Sequence, residues 1–170
     1  MASLVEELVS ILVEEEKLYQ EILEYAKQKR DVLVAADVPA LEKLTSLEQA
    51  VSDLLLSCGN KQAQTLKDIA SVLGKSNEQM TVTKLIGYLE AQPDMQQKLL
   101  VARDRLLETA KETQFYNQQN EALLKQAIEL TEFDLTLFRS LRQAPETANY
   151  NKNAYNTGSL LGSSGFDAKQ

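Results

Sequence analysis

The sequence predicts an all-α protein, an elongated antiparallel helical hairpin or bundle built on two long helices. Short connecting helices and a flexible C-terminal tail complete the expected plan. Three observations carry this expectation. The 170 residues include only 3 Pro and 6 Gly, so the residues that interrupt helices are scarce. Apolar residues recur at steps of three and four near both ends of the chain, the period of one helix face. Charged residues make up 25% and aromatics 6%, without Trp, a balance that suits a helical bundle rather than a β-sandwich. The expected division is a helical domain over residues 1–145 and a flexible polar tail over 146–170.

The first helix is expected from about Ser3 to Ala36, with Ser3 and Glu6 at capping-box spacing. Leu4, Leu8, Ile11, Leu18, Ile22, Tyr25 and Val32 form one stripe, with Glu15 and Lys29 as its polar members. Val5, Leu12, Tyr19, Ala26 and Leu33 form a second stripe, one residue every heptad. Two adjacent stripes make a broad apolar face, enough for two neighbours or for one neighbour and a binding partner.

Asp37-Val38-Pro39 punctuates the chain, Asp37 as a cap and Pro39 in a first turn. The break is either a corner or a kink in one long helix. A second helix to about Leu56 would bury Leu41, Leu44, Leu47, Val51, Leu54 and Leu55. Gly59-Asn60 is expected to end it, placing Cys58 near a helix end as a small buried filler. A short helix to Leu73 would follow, with Gly74 as the left-handed residue beyond its end. Residues 75–80 are expected as a loop, and a further short helix from Thr81 or Val82 to Glu90 buries Val82, Leu85, Ile86 and Leu89.

The last helix is expected from Pro93 to about Arg142, free of internal Pro or Gly. Fifty helical residues would span roughly 75 Å. Its seam runs through Leu99, Leu106, Ala110, Asn117, Asn120, Leu124, Ala127, Thr131 and Phe138, flanked by Leu100, Leu107, Ile128 and Leu135. Asn117 and Asn120 interrupt the apolar stripe. Buried, such amides fix register; facing water, they mark a rotation of the helix. After Pro145 the chain is rich in Asn, Ser, Gly and Ala without a stable period. Tyr150, Tyr155, Leu160, Leu161 and Phe166 are either a short docking motif or sparse residues in an unstructured end.

Several function classes are excluded by composition. The chain has no His and a single Cys, so imidazole catalysis, His-containing metal sites and thiolate zinc sites are out of reach. No phosphate-binding loop, dinucleotide fingerprint, calcium loop or nucleophile elbow occurs. Pairs such as Glu14–Glu15 and Glu129–Glu132 lack the His a di-iron helical site requires. No enzyme activity, cofactor or metal is expected. A net charge of -7 argues against nucleic acid and anionic membrane. No segment has the length and apolarity of a membrane span, and no N-terminal targeting pattern is seen, so a cytoplasmic location is expected. What remains is protein binding through an exposed apolar helix face.

The segment LYQEILEYAKQKRDVLVAADVPALEKLTSLEQAVSDLL, from Leu18 to Leu55, carries Tyr19, Lys27 or Lys29, Asp37, Leu41, Leu44 and Glu48 in a characteristic rhythm. NQQNEALLKQAIELTEFDL adds Asn117, Asn120, Leu123, Leu124 and Ala127. In order and spacing these segments resemble the FlgN family of flagellar type III export chaperones, over essentially the whole chain. Ser57-Cys58-Gly59-Asn60 departs from the family pattern. The resemblance implies that the chain holds hook–filament junction proteins by their helical C-terminal segments before export and delivers them to the flagellar export apparatus. It implies a client surface on the last helix, with Asn117, Asn120, Leu124, Ile128, Leu135 and Phe138 as candidates. The tail, with Tyr150 and Tyr155, is the candidate for contact with the export gate. A general coiled-coil adaptor or structural scaffold is the second reading, and self-association is left open.

Overall fold

The computed structural model describes residues 2–143. They form four helices: α1 (Ala2–Val34), α2 (Val38–Val72), α3 (Val82–Tyr88) and α4 (Pro93–Gln143). No strand occurs among the described residues, so the fold is all-α. The chain divides into two units, Met1–Glu129 and Leu130–Gln170. The expected boundary after residue 145 and the tail 146–170 lie outside the described residues.

Within the first unit, α1 and α2 form an antiparallel hairpin. The break between them is a corner. Ala36 takes a left-handed φ of 54°, and its N–H reaches the Leu33 carbonyl while the Asp37 N–H reaches that of Val32. These two bonds close α1 with a Schellman motif, in which Ala36 occupies the position usually given to glycine. Asp37 then caps α2, its Oδ1 accepting from the Ala40 N–H at 3.1 Å. Pro39 sits in the first turn, where its missing N–H leaves no helical bond unmade. At the start of α1, Ser3 already lies inside the helix, so the expected cap at Ser3 shifts toward the terminus.

Helix α2 is longer than expected. Gly59-Asn60 does not end it, and Cys58 lies in mid-helix. One glycine costs only about 1 kcal/mol in a helix interior, which packing against α1 on either side offsets. Of the apolar positions expected to be buried there, Leu44 and Val51 are, Leu41 and Leu55 are half-buried, and Leu47 and Leu54 face solvent. The helix stops where expected: Gly74 has φ 69°, and Gly74 and Lys75 donate to the Ser71 and Ala70 carbonyls.

The core gathers at the end where α1 and α4 begin and α2 finishes. Val5, Leu8 and Leu12 meet Ile69 and Ala70 of α2, Leu85 of α3, and Leu99 and Ala102 of α4, with Met80 and Leu89 completing the cluster. Helix α3 starts at Thr81, whose side chain accepts from the Lys84 N–H, and places Leu85 and Leu89 in this core. Complete burial of each such leucine contributes about 1.5–3 kcal/mol.

The two stripes of α1 meet two partners. On the first, Lys29 forms an ion pair with Glu48 of α2, and Glu15 accepts from the Gln62 amide. On the second, the Tyr19 carbonyl accepts from Thr113 of α4 and the Ala26 carbonyl from Asn120. Both of these contacts join residues 94 apart. A constant offset means that α1 and α4 run parallel and keep one register.

Candidate functional site

The seam of α4 begins apolar and turns polar. Leu99 and Ala102 are buried in the core and Leu106 packs against it. Thr113 and Asn120 are buried next, seven residues apart, opposite Tyr19 and Ala26, which are also seven apart. The Asn120 amide donates to the Ala26 carbonyl at 2.7 Å. The Thr113 hydroxyl donates to Thr109 of its own helix at 2.8 Å, with the Tyr19 carbonyl at 3.4 Å. A further heptad sets Ala127 level with Leu33, one residue before α1 ends. The register that holds α4 is then exhausted.

Charge reinforces the upper part of this seam. The Lys27 ammonium lies 3.1 Å from Glu112 Oε1 and 5.3 Å from the centre of the Tyr116 ring. The hydrogen bond it donates to Glu112 holds the lysine above its ordinary pKa. Tyr116 in turn meets Phe115 edge to face at 5.6 Å.

From Glu121 to Arg142 every residue is exposed except the half-buried Leu123. In the first unit, Leu124 is 41% exposed and Ile128 51%. In the second, Leu135 is 50% exposed and Phe138 65%. Leu124 and Ile128 stand four residues apart and Leu135 and Phe138 three, the spacing of neighbours on a helix face. In the second unit, Leu130, Phe133, Leu137 and Leu141 are also exposed and follow steps of three and four. Scattered exposed leucines are ordinary, whereas a run as dense as this is not.

The six expected site residues therefore separate. Asn117 is exposed and Asn120 buried, so the two amides, three positions apart, have different surroundings. Leu124, Ile128, Leu135 and Phe138 are exposed. Tyr150 and Tyr155 lie outside the described residues. Sequence reasoning missed Thr113, which takes the seam position one heptad before Asn120, and the second stripe of Leu130, Phe133, Leu137 and Leu141. The same three-four period would have found the second stripe.

Among the described residues, no group of acidic or thiol side chains could hold a metal ion. No helix among them is long and apolar enough to cross a membrane. A family model described as FlgN protein matches residues 1–158. No curated protein matches the chain, and no solved structure does.

Proposed function

The chain belongs to the FlgN family, and from that premise we propose that it is a cytoplasmic chaperone for hook–filament junction proteins, shielding their helical C-terminal segments before flagellar type III secretion. Family membership supports a flagellar export-chaperone role in general. The observation that carries the finer reading is the exposed apolar surface of α4. A client segment that folds as a helix in the assembled filament presents apolar positions of its own before assembly. Docking it on Leu124 and Ile128, with Leu135 and Phe138 adding area, removes apolar surface from water at about 25 cal/mol per Å².

Asn117 stands on the exposed side of α4 where this surface begins and can supply a polar contact. Asn120 serves the surface from behind, by holding α4 on α1. Tyr150 and Tyr155 are assigned to contact with the export gate. Catalysis has no part in this reading.

The test is a pull-down with hook–filament junction proteins, full-length and lacking their C-terminal helices. Recovery of the full-length forms alone supports the reading. Equal recovery of both, or of neither, refutes it. Removing residues 146–170 should leave client recovery intact and abolish recovery of the export-gate protein.

A further inference from the structure

Away from α4, the α1/α2 seam holds an ionisable group in an unfavourable position. Glu15 lies on the stripe of α1 that faces α2 and is 6% exposed. Two heptads on, Lys29 of the same stripe has Glu48 as a counter-charge. Glu15 has none: among the described residues it enters no ion pair. Its printed partner is the neutral Gln62 amide, which donates to Oε2 at 3.3 Å. The α2 backbone comes close here, since a Cβ built on Gly59 would stand 3.9 Å from Glu15 Oε1. Cys58, also buried, directs its thiol to the Ile11 carbonyl at 3.7 Å.

The charges around this point do not help the carboxylate. Glu14, its neighbour on α1, has the same sign. From α2 come the Cys58 thiol and Lys61, whose charge acts on that thiol; α4 contributes no charge that acts on Glu15. Burial first, and Glu14 second, push the Glu15 carboxyl above its ordinary value of 4.5. A carboxyl whose pKa is raised by folding favours the fold when protonated. The cost of ionising it is absent below the ordinary value, grows as pH rises, and is complete above the raised value.

We propose that Glu15 is a built-in weak point of the α1/α2 hairpin: a carboxylate held between two helices without a cation lets the middle of the hairpin part locally, and a neutral group there closes it. Opening at this point separates α1 from α2 between the core at Leu8 and Ile69 and the ion pair at Lys29, which both remain closed. The proposal stands apart from the client reading, since it concerns the stripe of α1 that faces α2 and not the surface of α4.

Cys58 is a native reporter of such opening, because a buried thiol reacts only when its surroundings part. The experiment follows labelling of Cys58 by a disulfide reagent in the full chain and in Glu15→Gln, from about pH 6 to about pH 8. That range stays clear of the pI of about 4.8, where the chain is least soluble. Each rate is divided by that of the urea-unfolded chain at the same pH, which removes the thiolate fraction. Glu15→Gln should be protected about threefold to tenfold more at the upper end of the range. The difference between the two chains should not widen toward the lower end, because falling pH can only neutralise Glu15. Equal rates with the same pH dependence overturn the proposal, and so does a variant that fails to fold, because the carboxylate would then be required. Hydrogen exchange supplies the second readout: the gain in protection should be confined to residues 11–19 and 55–62. A uniform gain across the chain would mean global stabilisation and would defeat the idea of local opening.

Discussion

Asn120 donates its side-chain amide to the backbone carbonyl of Ala26 at 2.7 Å, while its own Oδ1 is buried without a partner. The contact therefore contains one good hydrogen bond and one unmet acceptor. A neutral hydrogen bond contributes about 0.5–1.5 kcal/mol net, and an orphaned buried acceptor costs about as much. In stability alone the residue is close to break-even. Its effect is directional: it fixes which turn of α4 stands beside which turn of α1, as polar residues at seam positions do in paired helices.

Truncating this side chain should separate the two roles. Asn120→Ala loses the bond and leaves a small void, lowering stability by about 1–2 kcal/mol. Asn120→Leu fills the space and removes the orphaned acceptor, so its cost should be smaller. Urea unfolding with unchanged slope checks both. If the two variants lose the same stability, filling the space contributes nothing and the lost hydrogen bond to Ala26 accounts for the whole effect.

The two helix ends closed by a left-handed residue offer a matched pair. Ala36 adopts φ 54° and Gly74 φ 69°, yet only the second is a glycine. Ala36→Gly should raise stability by about 0.5–1 kcal/mol by relieving the strain. Gly74→Ala should lower it by about 1 kcal/mol, since no neighbour obstructs a Cβ there and the cost is purely one of backbone. Thermal unfolding of the two variants should shift in opposite directions.

Lys29 and Glu48 are 18% and 15% exposed, and Glu48 Oε1 is buried without a partner. Lys29→Met leaves that carboxylate uncompensated and should cost about 2–3 kcal/mol. Adding Glu48→Leu to it should restore most of the loss, because two packed apolar side chains need no counter-charge. A double-mutant cycle measures the coupling; a double variant as unstable as the sum of the singles would show that the pair does not interact.

Leu124 and Ile128 are about half exposed, so charging them should not disturb the fold. Leu124→Glu and Ile128→Glu should each change stability by less than about 0.5 kcal/mol and leave the helical circular dichroism intact. Calorimetric titration with a junction-protein C-terminal segment should show binding weakened at least about tenfold, the equivalent of 1.4 kcal/mol. Helicity and binding lost together would place both residues in the core.

The helices themselves were legible because their cause is local. Apolar period, Asp37 with Pro39, Thr81 and Gly74 each act within a turn or two of chain. Gly59 misled for the same reason. Read alone it is a breaker, and only the α1 surface across from it keeps α2 continuous. The double stripe of α1 indicated two partners but could not name them, since any apolar face fits either stripe. Asn117 and Asn120 were singled out together and stand only about 60° apart around the helix, yet burial divides them, because Asn120 falls opposite Ala26 and Asn117 on the exposed flank. Thr113 escaped notice because a threonine in a polar stretch carries no apolar signal until its opposite carbonyl is seen.

The offset of 94 residues between α1 and its α4 partners also bears on the order in which the chain is made. As the chain leaves the ribosome, α1 can pair with α2 as soon as the hairpin emerges, a local step with little loop to close. The second stripe of α1, from Val5 through Ala26, must wait for the synthesis of Leu99 through Asn120. At about 5–20 residues per second, that face stays uncovered for seconds on every nascent chain. The late arrival of α4 makes the interval before its docking the one in which a newly made copy is most open to wrong partners.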